Sequence, residues 1–282
     1  MTTITCPDIL RWMPSRWEDF TGNRQIKRFL MKTLKKLRHQ MSSDANIELN
    51  RLCFLLTGRS RSGKTALTEF FVQCLGCRML DLESLNPCKG NCDYCQSRTG
   101  RDGVEGLEHL QHKDSWCEFK YVPHFIPVDC TRIYTPQELR KVIDSLFDYE
   151  GTGHVGVVYL DEVHRLVKRQ MDEILLKAIE QKPFMWILST AKPSELEDML
   201  TNRLLKFSTD LPSPADLGFW LCDRCDEWGI NWQPEAVDRV VEKSNCVVGT
   251  ALHALALASL DPEEGLTLDL VENDWVLDVN EG

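Results

Sequence analysis

The segment Gly58-Arg59-Ser60-Arg61-Ser62-Gly63-Lys64-Thr65 constrains this 282-residue chain more than any other. It follows the short apolar run Leu52-Cys53-Phe54-Leu55-Leu56 and precedes the helix-prone run Ala66-Leu67-Thr68-Glu69-Phe70-Phe71. Strand, glycine-bounded loop and helix, in that order, are the context of a P-loop. Backbone N–H groups from Gly58 to Ala66, backed by the helix N-terminus, cradle a di- or triphosphate. In such a loop Lys64 reaches the β- and γ-phosphates of ATP, and the Thr65 hydroxyl holds Mg²⁺. At ordinary residue frequencies the pattern arises by accident in about one chain in a hundred of this length. A chance glycine turn is therefore the weaker reading, and the sequence predicts a nucleoside-triphosphate site.

Length and composition bound the rest. The chain suits one sizeable domain plus a small one, and a hydrophobic fraction of 43% argues against wholesale disorder. No run approaches the roughly 20 apolar residues of a membrane span. Residues 1–14 lack the apolar core of a signal peptide, so the expectation is a cytoplasmic protein without a membrane partner. The net charge is −10, yet residues 1–41 hold nine Lys/Arg against three Asp/Glu, and the tail from Asp261 holds eight acids and no Lys or Arg. Overall acidity does not exclude nucleic acid, because a local basic patch decides that. Twelve cysteines in a reducing compartment read as metal ligands or small core residues before disulfides.

Residues 14–23 are turn-like and lead into a long helix whose apolar residues, Ile26, Phe29, Leu30, Leu34 and Leu37, share one face. The opposite face carries Arg24, Lys27, Arg28, Lys32, Lys35, Lys36 and Arg38. It reads first as a solvated basic face and second as a contact for nucleic acid or a neighbouring subunit. Beyond the P-loop helix come Cys74-Leu-Gly-Cys77 and Cys88-Lys-Gly-Asn-Cys92-Asp-Tyr-Cys95. Four thiolates grouped around turns suit a closed tetrahedral Zn²⁺ site, which folds a knuckle and leaves no position open for catalysis. Cys88, Cys92 and Cys95 are its plain members, while Cys77, Cys74, Cys117, His109 and His112 compete for the fourth place.

Residues 125–129 predict a strand, with Pro127 awkward in its middle. Thr135-Pro136 opens a helix striped by Leu139, Val142, Ile143 and Leu146. The apolar run 154–160 delivers Asp161-Glu162, a Walker B arrangement. Asp161 would hold Mg²⁺ through its shell, and Glu162 would orient and deprotonate the attacking water. Residues 166–181 read as one helix and 184–190 as a further buried strand ending in Ser189-Thr190. Strands alternating with helices imply an α/β fold with a parallel sheet covered on both faces and nucleotide beyond the strand C-termini. From Leu211 the pattern is helical only, at 214–228, 234–243 and 249–260. Cys222-Asp-Arg-Cys225 lies in the first of these and reads as core before zinc or redox pair. The expected division is 1–210 for the nucleotide-binding α/β domain with a zinc module at about 74–120, 211–260 for a three-helix lid, and 261–282 for an acidic tail. That tail reads as a frayed end ahead of a docking segment for a protein partner.

Together these motifs resemble the AAA+ ATPases of the clamp-loader clade, in particular the gamma/tau-type subunits of bacterial replicative clamp loaders, over about residues 12–260. The segment 14–23 is similar to the family's P-x-x-F-D-D-x-x-G-Q, which implies that Trp17 and Gly22 lie against adenine. Spacing from Lys64 resembles the family's in favouring Cys77 beside Cys88, Cys92 and Cys95, with one additional residue between Cys88 and Cys92. Leu160-Asp161-Glu162-Val163-His164 is similar to IDEVH, and Leu175-Leu176-Lys177-Ala178-Ile179-Glu180 to LLKTLEE. The family's sensor-1 residue falls at Thr190, next to Ala191. Arg203, within Asn202-Arg203-Leu204 in place of SRC, stands where the family has an arginine finger acting on a neighbour's ATP. Arg132, Arg140 and Lys141 resemble the region that faces DNA phosphates. Gly249-Thr250-Ala251-Leu252 is similar to G-S-x-R, with Leu252 where the sensor-2 arginine would be.

The resemblance implies Mg²⁺-dependent ATP hydrolysis, stimulated by assembly or DNA, in a ring or spiral of identical or homologous subunits. No collar domain follows the lid, so the expectation is a specialised relative from a phage, transposon or defence system. An ATP-gated adaptor with little hydrolysis, recruiting a partner through the acidic tail, is the alternative that Leu252 and Ala191 motivate. A protein that chiefly binds DNA through its basic first helix is the third reading.

Overall fold

A strand as apolar as Cys53-Phe54-Leu55-Leu56 is stable only between two covering layers. The computed structural model, which describes residues 5–42, 52–99, 122–146, 154–181 and 184–275, provides both. β1 (Cys53–Thr57) joins β2 (Val122–Asp129), β3 (His154–Asp161), β4 (Met185–Thr190) and β5 (Leu205–Ser208) in one sheet of order β2-β3-β4-β1-β5. Every pairing is parallel. Phe54, Leu56, Val157, Tyr159, Met185 and Ile187 face one layer, and Cys53, Leu55, Val158, Leu160, Trp186 and Leu188 face the other. This is the two-residue alternation of strands. Pro127 is exposed on β2, an edge strand. An edge position asks for no N–H partner on its outer side, so the proline is accommodated.

The first layer holds α2 (Arg24–Ser42) and α3 (Lys64–Gly76). Ile26, Leu30, Leu34, Leu37 and Met41 of α2 are all buried. Its basic face is not wholly solvated. Lys27 Nζ donates to the Phe20 carbonyl, and Arg38 donates to the carbonyls of Cys74, Leu75 and Cys77. A cation there satisfies the unpaired carbonyls that end α3 and opposes the negative pole of its dipole. On the far side of the sheet lie α5 (Pro136–Ser145), α6 (His164–Lys168) and α7 (Asp172–Gln181). Thr135 and Glu138 close a capping box at the start of α5, as Thr135-Pro136 predicts. The single helix expected over 166–181 is two. Gln170 takes a left-handed φ of 57°, and Arg169 turns back to donate to the carbonyls of Cys130, Thr131 and Ile133.

Three helices, α9 (Pro214–Trp228), α10 (Pro234–Lys243) and α11 (Val248–Ala258), build the lid. Two expected boundaries change around it. The short helix α1 (Cys6–Leu10) packs on the lid and not on the sheet: Ile9 is fully buried in the lid core. Trp12 stands edge-on to Trp220 and Trp228 at 5.7 and 5.8 Å. Nor is the segment after 260 a frayed end. Leu266, Val271 and Trp275 fill the same core, Leu266 bridges Trp232, and Arg239 pairs with Glu272. Apolar residues among the acids are what dock it. Residues 276–282 of the expected tail lie outside the described residues. Among the described residues no helix is long and apolar enough to cross a membrane.

Because Leu266 is fully buried, Leu266→Ala should cost about 2–5 kcal/mol of unfolding free energy. Urea denaturation checks this; an unchanged midpoint would mean that the segment only rests on the surface.

Candidate functional site

Parallel strands deliver their C-termini to one edge, and the chain fills that edge with its polar residues. Gly63, in the left-handed region with φ 85°, caps α3, so the first amides of that helix open toward a cavity of about 440 Å³. Ser60 through Ala66, Asp161 and Glu162 form its floor. Phe20, Thr21, Asn23 and the segment 210–212 form one wall, and Leu10, Trp12, Met13, Leu252 and His253 close the lid side. The volume lies within the range of ligand pockets. Lys64 Nζ donates to the carbonyls of Gly58 and Arg59 at 2.9 and 2.8 Å. Burial lowers its pKa, against the opposing pull of Glu162 and Asp161.

Behind the floor is a chain of hydroxyls. Tyr159 OH lies 3.0 Å from Thr65 Oγ1, 3.0 Å from Ser189 Oγ and 3.3 Å from Asp161 Oδ1. Asp161 Oδ1 also accepts from Ser189 Oγ at 2.5 Å and from the Glu162 amide at 3.1 Å. With Oδ1 engaged three times, Oδ2 is the oxygen left for a cation or its water shell. Burial, then the Asp161 charge, pushes the Tyr159 phenol above its ordinary value, so it keeps its proton.

Glu162 has φ 52°. Its Oε2 accepts from the Ala191 amide at 3.3 Å and lies 3.0 Å from His164 Nδ1. The same nitrogen is 3.0 Å from Thr190 Oγ1, which also accepts from the Lys192 amide. On its other side His164 Nε2 stands 3.9 Å from Glu195.

The sequence-predicted residues are thus partly united. Lys64, Thr65, Asp161 and Glu162 share the pocket, with Thr190 buried one shell behind it. Several others, Gly58 among them, do not line it. Trp17 is a core residue: its Nε1 donates to the Leu85 carbonyl at 2.8 Å and its ring meets Phe70 edge-on. An indole already satisfied in the interior has no face left for adenine, and its neighbours Phe20 and Thr21 hold the wall instead. Gly22 packs against the backbone of 210–212. Arg59 lines a separate groove between α9 and α10. Arg203, beyond α8 (Asp198–Thr201), is exposed and paired with Glu180. Arg132, Arg140 and Lys141 are all exposed, Arg132 beside Asp129 at 3.1 Å. Sequence reasoning missed Tyr159, His164 and His253. Tyr159 had a signal, since two positions before Asp161 on a strand is the same face.

The candidate metal centre stands apart. The sulfurs of Cys77, Cys88, Cys92 and Cys95 all lie within 4.8 Å of one another. Tetrahedral Zn²⁺ with bonds of about 2.3 Å separates sulfurs by roughly 3.8 Å, so the set fits. The Cys88 amide donates to Cys77 Sγ at 3.2 Å. The Cys95 thiol hydrogen-bonds to Cys77, the largest influence holding Cys77 low, toward the thiolate a metal requires. Cys74 is core, and Cys117, His109 and His112 lie outside the described residues. The knuckle is held to α3 through Gly76: a Cβ there would lie 2.1 Å from the ring of Tyr94, which α4 (Asp93–Thr99) carries. Cys225 of the second CxxC is buried in the lid core, with its thiol pushed up to about 12 by burial. The core reading of that pair is the one the structure supports.

No family model matches the chain. In sequence it is 23% identical over 249 residues, 87% of the chain, to DNA polymerase III subunit gamma of Buchnera aphidicola subsp. Schizaphis graminum. It is 23% identical over 240 residues, 83% of the chain, to Protein STICHEL-like 2 of Arabidopsis thaliana. The chain spans 59% and 24% of the lengths of these two relatives. Among solved structures, a mutant of Thermotoga maritima RuvB superposes with a TM-score of 0.58 at 16% identity, over 92% of this chain and 71% of that one. A second RuvB structure, titled a Holliday junction branch migration motor, gives 0.57 at 16% identity over 93% and 71%. The fold is therefore the AAA+ P-loop NTPase fold, a parallel α/β sheet with an all-helical lid. Within that fold the sequence is similar to DNA polymerase III subunit gamma.

Burial lowers the pKa of His164, while Glu162 and Glu195 oppose the shift. The unfolded chain therefore takes up a proton that the folded chain refuses. Stability from this residue is complete above the ordinary histidine value of about 6.5 and is lost as pH falls toward the lower folded value. His253 shifts in the same direction, through burial and then Arg61. His164→Gln should flatten the dependence of unfolding free energy on pH between about pH 7 and 5. A slope equal to that of the parent chain in pH-resolved denaturation would contradict this.

Proposed function

We propose that this chain binds and hydrolyses ATP as one subunit of an assembly of identical or homologous AAA+ subunits acting on DNA. One observation carries the reading: Lys64 and Thr65 at the start of α3 and Asp161 and Glu162 at the end of β3 floor a single pocket that lid residues cover. Homology to subunit gamma and the fold shared with RuvB support the setting.

Phosphates entering the cradle meet the amides at the start of α3, and Lys64 exchanges the carbonyls of Gly58 and Arg59 for phosphate oxygens. Thr65 and Asp161 would hold Mg²⁺, which neutralises charge on the phosphates. Glu162 takes the proton of a water in line with the γ-phosphorus as the new P–O bond forms and the bond to the ADP oxygen breaks. Before that it must leave Ala191 and His164, so assembly or substrate has an inhibitory contact to release. Arg203 is the residue we assign to a neighbour's ATP. An exposed ion pair such as Arg203–Glu180 contributes little and is readily exchanged for a phosphate. Arg132, Arg140 and Lys141 are the residues we assign to DNA phosphates. Zn²⁺ at Cys77, Cys88, Cys92 and Cys95 is structural in this reading.

A second reading, an ATP-gated adaptor with little turnover, draws on Leu252, an apolar side chain in the pocket wall where transition-state charge needs a cation. Comparing ATP turnover of the parent chain with Glu162→Gln separates the two. A fall of at least about 10²-fold supports hydrolysis, since that is the scale of a lost general base, and equal rates support the adaptor.

Arg203→Ala should lower turnover by about 10³-fold or more while leaving ATP binding intact, as for an arginine supplied in trans. DNA should raise turnover of the parent chain. Normal turnover by dilute Arg203→Ala would exclude the intersubunit site. For the metal, purified protein should carry one zinc per chain by elemental analysis, and Cys95→Ser should lose it together with thermal stability. Full zinc content in that variant would exclude this ligand set.

A further inference from the structure

The strand that presents Asp161 also presents Tyr159 on the same face, and the phenol reaches both residues that the proposed site assigns to Mg²⁺. Its oxygen is 3.0 Å from Thr65 Oγ1 on the P-loop helix and 3.3 Å from Asp161 Oδ1 on β3. Ser189, on the adjacent strand β4, lies 3.0 Å from the phenol and 2.5 Å from the same carboxylate oxygen. Tyr159 is 1% exposed and Ser189 fully buried, so neither has water as an alternative partner. Three hydroxyls and one carboxylate thus form a closed network tying the P-loop helix to two strands.

A buried phenol offers one proton and a lone pair. It can accept from the Thr65 hydroxyl while it donates toward Ser189 or Asp161. Turning the Thr65 proton toward Tyr159 leaves the threonine lone pairs free on the pocket side. With the phenol proton directed at Asp161, Oδ1 accepts from Ser189, the Glu162 amide and Tyr159, which leaves Oδ2 as the oxygen presented there. One buried group therefore orients both.

We infer that Tyr159, locked by Ser189, is a positioning residue that sets the Thr65 hydroxyl and the Asp161 carboxylate for a divalent cation bound with a nucleoside triphosphate. The inference rests on the nucleotide-binding reading of the pocket. Tyr159 touches neither phosphate nor attacking water; it acts through its two partners. Its contribution therefore falls on the metal-dependent part of binding and not on the cradle amides or Lys64.

The test uses the full chain and a fluorescent ATP analogue, titrated in excess EDTA and across a Mg²⁺ series, with thermal unfolding of the nucleotide-free protein as a control. Tyr159→Phe keeps the ring and removes only the hydroxyl. The Mg²⁺ concentration at half-saturation should rise about five- to tenfold, the scale of one ordinary hydrogen bond, while affinity in EDTA stays unchanged. Equal Mg²⁺ dependence in variant and parent would overturn the inference. So would an equal loss with and without Mg²⁺, which marks a merely structural hydroxyl. If Tyr159→Phe does not fold, Ser189→Ala, which frees the phenol and one donor of Asp161, should give the same metal-selective loss; indifference to Mg²⁺ there overturns it. A parent chain that binds the analogue in neither condition would refute the nucleotide site itself. A parent that binds it beside a metal-indifferent variant refutes only the role of Tyr159.

Discussion

Amides at the start of a helix have no partner within it, and in α3 they face a cavity instead of a capping side chain. Most of the molecule can be read as what holds those amides in place. β1 sits inside the sheet, so the loop leaving it cannot drift. Thr209, beyond β5, hydrogen-bonds with Ser62 of the loop and donates to the Thr57 carbonyl. At the other end of the helix Arg38 gathers the last carbonyls. A single guanidinium on α2 thereby serves both the helix that begins at the proposed phosphate cradle and the first cysteine of the candidate metal site.

The fold was legible where local pattern and tertiary demand agree. The continuous apolar runs of β1, β3 and β4, the glycine-bounded loop and the acids ending β3 each have one structural solution, and the chain adopts it. Reading failed where distant residues decide. Trp17 sits in a segment that the family resemblance sends to the nucleotide, but a hydrogen bond to Leu85 claims its indole. Gln170 carries no glycine-like signal for a left-handed φ, and the break it makes is stabilised by Arg169 reaching a different element. The apolar residues after 260 show no clean helical stripe, yet they pair with the lid core, Val271 from a short helical turn at Leu270–Asp274. Among the site residues, Lys64, Thr65, Asp161 and Glu162 follow from motif chemistry. Tyr159 and His164 do not, because their importance lies in which hydroxyl or carboxylate a fold brings to them. Cys77 is intermediate: sequence leaves it in competition with Cys74, and the end of α3 turns one inward and the other toward the cluster.

Buried polar groups are costly unless paired, so those kept here point to constraints beyond stability. The set His164, Thr190 and Glu195 lies directly beneath the proposed base, Glu162. Its hydrogen bonds fix which way Glu162 leans, and they do so through a group whose charge is held off by burial. A carboxylate held this way is a base in waiting.

The lid is attached at both of its margins. α1 and Trp12 fasten the N-terminal end of the chain to it, and the chain then leaves for the sheet through residues 14–23. It returns through 209–213, and these two crossings touch, since a Cβ on Gly22 would lie 2.9 Å from the Asp210 carbonyl and 3.0 Å from the Pro212 nitrogen. The Trp220 indole also donates to the Asp19 carbonyl at this seam. Two stretches of chain running side by side favour rotation of the helical unit about their common line over a slide across the cavity.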